Sequence, residues 1–517
     1  MKSFMKMYDK NISGTISGWD RLRFRGTIRW LANTSGFISY LKARGILLKN
    51  FADWAESITK KVRAICSVQA DAMGIPMIYL QSASVDKEAY ARQIMKERGV
   101  TTGDICMFSV IEPCMAPDVR GNKETKKIEL NMRPRKCVWI YHYWNDEALG
   151  FGHTRIQTWL PLSATICLNG RHWLERQLIR EGVEYVKNGN CFTYISDYEK
   201  AAALVEEQHK THWSELFDGL IAKSCPGINS LLGGGIGVDH YWSADDTEWA
   251  TDIVFNSAET LDQLFPKLAR YGLLTAQSPA VMRFLGRSNP QGRSPNEVRS
   301  DLRKRYEGLR LKHWVNRNSV KMYNKAGNVL RVETTISQTR GFKVYRCPDD
   351  DESQPASWQK MRKGVSDLYR RSEVSHASNE RYLDHLAAAE VSESLKETVS
   401  SVCKRIRKNG KSHRAINPWN GEDFETLQFL ARGEHQLNGF VNQQLRETLY
   451  GESSDPIERK RLSAKTSRRL RLLRGHGLIR KVPRSNRYQL TQKGRKVAAA
   501  VLAASSANTE ELMKIAA

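Results

Sequence analysis

The chain reads as an α+β protein: an N-terminal region of mixed helix and sheet, followed by a compact helical domain closed by two short strands. Three observations carry that reading. Forty per cent of the 517 residues are hydrophobic, with 13 Trp and 18 Tyr, enough for packed cores in two to four domains. Runs rich in β-branched and aromatic residues, such as CVWIYHYW and VLRVETTI, alternate with stretches of helical period. The last hundred residues show the helix caps, glycine stops and paired strands of one small domain.

Taken in order, residues 15–60 are expected to be helical, because Trp19, Leu22, Phe24, Ile28 and Leu31 recur at helical spacing and the pattern continues through Phe37, Ile38 and Leu41. Strand, helix and strand follow in Ile78–Ser82, KEAYARQIMKERGV and DICMFSVIEPCM. Residues 135–168 predict sheet, HWLERQLIREGVEYV a helix ending near Gly182, and CFTYI a short strand. Helix is expected again over 246–275, and a loop over 288–298 from its Pro, Gly, Asn and Ser content. Strands 319–325 and 329–336 flank Lys-Ala-Gly-Asn (325–328), which reads as a hairpin turn. FKVYR adds another strand, 358–406 reads mostly helical, and 407–423 has linker chemistry. These signals place domains at 1–275, 276–375 (the basic hairpin-containing part) and 423–517, with a helical linker over 376–422.

The C-terminal elements are DFETLQFLA, then NGFVNQQLRETLYG with Asn438 as cap and Gly451 as stop. ERKRLSAKTSRRLRLLRGHGL follows, then LIRKV and RYQLT about the turn PRSN, and a last helix capped by Thr491. Three helices and a two-stranded wing make a winged helix. LRLLRGHGLIRKVPRSNRYQLTQKGR resembles the recognition-helix-and-wing part of MarR-like DNA-binding domains, which implies docking on duplex DNA.

Charge points the same way. Eighty-one Lys and Arg against 56 Asp and Glu give a formal +25, which favours a polyanionic partner. From Arg459 to Thr509 there is no acid at all. Lys465, Arg468, Arg469, Arg471 and Arg474 on the third helix, and Arg480, Lys481, Arg484 and Arg487 in the wing, are the expected nucleic-acid contacts. The winged-helix pattern favours DNA, and RNA stays open because phosphate attraction does not distinguish the two. No apolar run is long enough for a signal peptide core or a membrane span, so a cytoplasmic, nucleoid-associated protein without a membrane partner is expected. The nine Cys are singletons without a CxxC pair, which suits reduced thiols. GGGIG (233–237) lacks the Lys-Ser/Thr of a phosphate loop, and neither a dinucleotide fingerprint nor a Ser-His-Asp signature is visible.

The stretch that raises chemistry is SVKMYNKAGNVLRVETTI, residues 319–336. Alternation allows Lys321, Tyr323, Arg331 and Glu333 to share one face, as a solvated contact surface or as a site. Tyr-x-Lys followed by Leu-Arg-x-Glu resembles a segment of phage and plasmid replication initiators of the gene II type. That resemblance implies tyrosine attack on a DNA phosphate beside a metal, with Tyr323 and Glu333 catalytic and Lys321 and Arg331 on the nucleic acid. Such sites usually hold their metal with paired His and an acid. This chain has no His-x-His, and His313 stands alone as a structural residue. Separated carboxylates offer another way to hold Mg²⁺ or Mn²⁺ if the protein is an enzyme. Asp20, Glu112, Asp246, Glu248 and Asp252 are the candidates, Glu112 and Asp252 foremost, and spacing alone fixes no triad. Further stretches, SGWDRLRFRGTIR, RIQTWLPL, HWLERQL and RAINPW, resemble uncharacterised bacterial proteins that recur in several copies per genome as mobile elements do. The expectation is a nucleic-acid-binding protein of a mobile element, with or without metal-dependent DNA nicking or strand transfer. The alternatives are a non-enzymatic DNA-binding regulator or replication accessory factor, and a protein that binds a structured RNA.

Overall fold

The computed structural model describes residues 1–233, 238–286, 298–305, 308–348, 353–387, 395–408, 410–431, 435, 439–483 and 485–506. The class is α+β, and the chain forms two compact units, Met1–Ala389 and Glu390–Ala517. The sequence boundary expected at 275/276 falls inside the first unit, because strands on both sides of it join one sheet. Among the described residues no helix is long and apolar enough to cross a membrane.

Fifteen strands lie among the described residues of the first unit; Lys343–Arg346 and Ser357–Lys360 pair as a small separate sheet, and the other thirteen organise the unit. They are β1 Ile12–Ile28, β2 Met77–Leu80, β3 Gly103–Gly121, β4 Ile128–Asp146, β5 Gly150–Gln157, β6 Ala164–Asn169, β7 Tyr185–Asn188, β8 Cys191–Ile195, β9 His240–Phe255, β10 Val298–Arg305, β11 Gly308–Val315, β12 Asn318–Lys325 and β13 Val329–Ile336. Eleven form a single sheet in the order β10-β11-β12-β13-β9-β1-β6-β5-β4-β3-β2, antiparallel except for β2 beside β3, while β7 and β8 form a separate hairpin. Two meanders therefore flank a central pair, β1 and β9. The helices Phe51–Ala72, Trp213–Ser224, Ala258–Thr275 and Leu368–Leu386 supply most of the apolar packing, around Trp19, Leu22 and Phe24 on one side and Leu330, Val332 and Ile336 on the other.

Both central strands replace expected helix. Residues 12–28 form one 17-residue strand, and the helices begin only at Thr34 and Phe51. The reason is a bulge: Trp19 pairs with Trp249 and Leu22 with Thr247, so two residues of β1 oppose one of β9. The inserted residue changes a period of two into a spacing of three, which imitates a helix in the sequence. Over 246–255 the β-branched Thr247, Thr251, Ile253 and Val254 form β9, and helix starts at Ala258. The strand, helix and strand expected from 78 to 115 are present, the last running on to Gly121, as is the sheet over 135–168.

The second unit contains the helices Gly421–Ala431, Asn442–Tyr450, Pro456–Gly475 and Gln492–Ser506, with strands Phe440–Val441, Ile479–Lys481 and Arg487–Leu490 paired as one small sheet. This is the winged-helix arrangement. Asp455 caps the third helix through the amides of Ile457 and Glu458, and Thr491 caps the last through Gly494 at 3.0 Å. The second helix starts at Asn442, because Phe440 and Val441 pair with the wing; Asn438 lies outside the described residues. At the start of the stretch 407–423, expected as linker, the strands Ile406–Lys408 and Lys411–His413 pair antiparallel.

His313 is buried, with Ser300 Oγ at 2.6 Å and the Tyr382 hydroxyl at 3.0 Å. Burial, and then His385, push its imidazole down to about 4. The unfolded chain takes up this proton near pH 6.5 and the folded one only near 4, so the protein is expected to lose stability as pH falls through that window. The expected contribution of His313 is at most about 3 kcal/mol, read as a shallower pH slope of unfolding in His313→Gln.

Candidate functional site

The bulge in β1 sets Asp20 and Arg21 together against Glu248 of β9. A bulge re-aims the side chain it inserts. Here carboxylate oxygens of Asp20, Glu248 and Glu333, from β1, β9 and β13, come within 4.8 Å of one another. Lys321 lies opposite Glu333 and Tyr323 opposite Arg331, so all four share a face as the alternation predicts. Tyr323 donates its hydroxyl to Glu333 Oε2 at 2.9 Å. Lys321 Nζ stands 2.5 Å from Glu333 Oε1, without hydrogen-bond alignment there, and 3.5 Å from Glu248 Oε1.

Arg331 holds this group from within the sheet. Its Nε and Nη2 donate to the two oxygens of Asp252 at 2.6 and 2.8 Å, Nη1 to Asp20 at 3.0 Å, and Nη2 also to the Asn190 carbonyl at 2.7 Å. Asn190, at the turn between β7 and β8, and Asn169, at the end of β6, each donate an amide to Asp20 at 2.7 Å. Arg171 makes a second contact with Asp252, at 3.1 Å. The face is therefore not the solvated surface that alternation allowed. Arg331, Glu333 and Asp252 are fully buried and Tyr323 is 6% exposed. Arg21, on the rim, bridges Glu248 at 3.1 Å and Asp246 at 3.0 Å.

Inside the rim three cations, Arg171, Arg331 and Lys321, face four carboxylates, Asp20, Asp252, Glu248 and Glu333. Burial would raise Asp20, but Arg331 and Arg171 hold it below its ordinary value. The surplus negative charge falls on Glu248, which burial and then Glu333 push up to about 7. Burial and the Glu333 carboxylate raise the Tyr323 phenol well above its usual value, so it keeps its proton at neutral pH. Three carboxylates with no nitrogen or sulfur suit a hard divalent cation, which would relieve the crowding of negative charge at Glu248.

Of the two foremost metal candidates, Asp252 is occupied by two guanidinium groups. Glu112 lies on β3, five strand spacings away, or roughly 24 Å. There it pairs with Lys87 at 3.0 Å and Arg155 at 2.5 Å and accepts from Tyr141 at 2.8 Å. The structure does not bring these two together; it joins Asp20 and Glu248 to Glu333 instead. The signal for that was the broken alternation in SGWDRLRF. The aromatic run KCVWIYHYW is largely core: Trp139, Tyr141 and Tyr143 pack with Phe108 and Phe151. Ser224 Oγ lies 3.0 Å from His142 Nδ1 and Asp104 3.1 Å from His142 Nε2, the latter without hydrogen-bond alignment, so the three only approximate a nucleophile triad. Ser224 and His142 are 1% exposed, however, and the hydroxyl donates back to Leu220, so the arrangement is sealed.

In the winged helix the basic residues divide by role. Arg469 is nearly buried and joins the third helix to the first through Glu422 and Asp423, and Lys465 pairs with Glu422 at 2.7 Å. Arg468, Arg471 and Arg474 are exposed, as are Lys481 and Arg487 in the wing; Arg480, also exposed, donates to Gln489 at 3.1 Å. Arg484 and residues 234–237 of GGGIG lie outside the described residues.

Arg331→Leu would leave Asp20 and Asp252 buried with one fewer counter-charge, and is expected to lower stability by about 3–5 kcal/mol. Tyr323→Phe removes one hydrogen bond and is expected to cost about 1 kcal/mol. Urea unfolding followed by Trp fluorescence compares the two.

Comparison of the chain with protein-family models, curated proteins and solved structures finds no match.

Proposed function

We propose that the protein is a DNA-binding enzyme that breaks and rejoins a phosphodiester bond. In this reading Asp20, Glu248 and Glu333 hold Mg²⁺ or Mn²⁺, and Tyr323 is the nucleophile. The observation that carries it is a tyrosine hydroxyl within hydrogen-bond reach of a three-carboxylate cluster assembled from three strands. The bound ion would polarise the scissile phosphate and offset the charge that develops on it. Glu333 accepts the Tyr323 proton as the phenolic oxygen bonds to phosphorus, and the departing sugar oxygen takes a proton from water. A phosphotyrosine ester and a free hydroxyl result, and the same or another hydroxyl can later displace the tyrosine. Lys321, beside Glu333 and Glu248, is the cation placed to meet the phosphate, and an ion held by the carboxylates would take over its pairing with them. The winged helix docks the protein on duplex DNA, supported by an acid-free stretch of 51 residues from Arg459 to Thr509 and the exposed Arg468, Arg471 and Arg474. A mobile-element setting rests on the sequence resemblance.

The burial of Tyr323 supports a second reading, a non-enzymatic DNA-binding regulator or replication accessory factor in which the buried charges only lock the sheet. Labelled DNA carrying the gene's own flanking sequences, incubated with Mg²⁺ or Mn²⁺, separates the two. The wild-type protein is expected to leave a covalent adduct on a denaturing gel, Tyr323→Phe none, and Glu333→Gln to slow cleavage roughly 10²–10⁴-fold. No cleavage and no adduct with either metal leaves the second reading. Cleavage that survives Tyr323→Phe transfers the attack to water.

A further inference from the structure

We propose that the hairpin Ile406–His413 is a second wing, which grips the phosphate backbone of duplex DNA beside the third helix of the winged-helix unit. The proposal rests on the docking reading above and adds a contact that the helix and the wing do not supply. Ile406–Lys408 and Lys411–His413 pair antiparallel, with Arg407 opposite Ser412 and Lys408 opposite Lys411. The hairpin is seated on the C-terminal end of the third helix. A Cβ on Gly475 would fall 2.6 Å from the His413 ring, so glycine there permits the close approach. His476 Nε2 lies 2.7 Å from the Arg414 carbonyl. The wing strand Ile479–Lys481 leaves the same end of that helix.

Between hairpin and helix is an open cavity of about 350 Å³, lined among others by Ser412, His413, Arg414, Lys465, Arg468 and Arg471. Arg414, Lys465 and Arg469 share the two carboxylates Asp423 and Glu422. Arg468 and Arg471 have no carboxylate partner among the described residues. The same holds for the exposed Arg407, Lys408 and Lys411 of the hairpin and for Lys404 and Arg405 just before it. Two uncompensated cations on the cavity wall, with five more on the adjoining hairpin and the residues just before it, call for a polyanion. A duplex offers a phosphate row on each side of a major groove about 12 Å wide. With the third helix in the groove, the wing meets one row and the hairpin the other.

The test uses the full-length chain and duplex DNA, with affinity measured across a salt series. Arg407→Ala/Lys408→Ala/Lys411→Ala is expected to weaken binding about tenfold and to lower the slope of log K against log salt by about 2–3. It should also erase one flank of the hydroxyl-radical footprint and leave the remainder. Arg468→Ala/Arg471→Ala is expected to weaken the whole footprint. An unchanged slope and footprint in the hairpin variant, with the helix variant weakened, overturns the second wing. No change in either variant overturns docking by the third helix itself. Equal affinity and slope on double-stranded RNA, whose major groove is deep and narrow, overturns the duplex-DNA partner. Should the triple variant lose its thermal transition, Lys408→Gln/Lys411→Gln gives the same readout.

Discussion

A single buried guanidinium holds the candidate site together. Arg331 lies on an inner strand of an eleven-stranded sheet, and every nitrogen of its head is engaged: two aspartates from different strands and the carbonyl of Asn190 in a separate hairpin. A charge without solvent is tolerated only when it is paired and hydrogen-bonded, so the residue fixes the distances among β1, β9, β13 and the β7–β8 turn at once. Asp20, tied on one side to Arg331 and on the other to two asparagine amides, has little freedom left. The position of the first carboxylate of the cluster is therefore set from the interior of the protein.

The contrast with Glu112 shows why one acidic group reads as a site and the other as structure. Both involve a carboxylate, a tyrosine and a lysine at hydrogen-bond distances. At Glu112 two cations meet one carboxylate, and the acid stays below its ordinary pKa, burial being outweighed by Tyr141, Lys87 and Arg155. At the central cluster carboxylates outnumber cations, and one of them, Glu248, is raised to about 7. Excess negative charge in a confined space is a standing attraction for a divalent ion, whereas a saturated ion pair is not.

Much of this was legible in residue order. Strands β12 and β13, their turn and their shared polar face follow from alternation and the Lys-Ala-Gly-Asn turn, and the winged helix follows from its caps, its glycines and its acid-free stretch. The long central strands were not legible, because the bulge at Asp20 and Arg21 gives Trp19 and Leu22 a helical spacing. The metal-ligand candidates failed to converge for a related reason. Glu112 looked promising at the end of an apolar run, but only strand order reveals that β3 lies five places from β9. The 407–413 segment read as linker because three-residue strands are too short to show a period.

The sequence by itself determined the local geometry of the hairpin at 319–336, the winged helix and the cationic character of the C-terminal unit. Each depends on neighbours within a few residues or on composition. Only the tertiary structure decided which acids meet, that Tyr323 and Arg331 are buried and not presented to solvent, and that Arg469 braces two helices while Arg468 stays exposed. Those outcomes depend on sheet order, on one inserted residue and on partners up to 311 positions apart in the chain, as Asp20 and Arg331 are. Periodicity along a segment carries no information about such distant pairings.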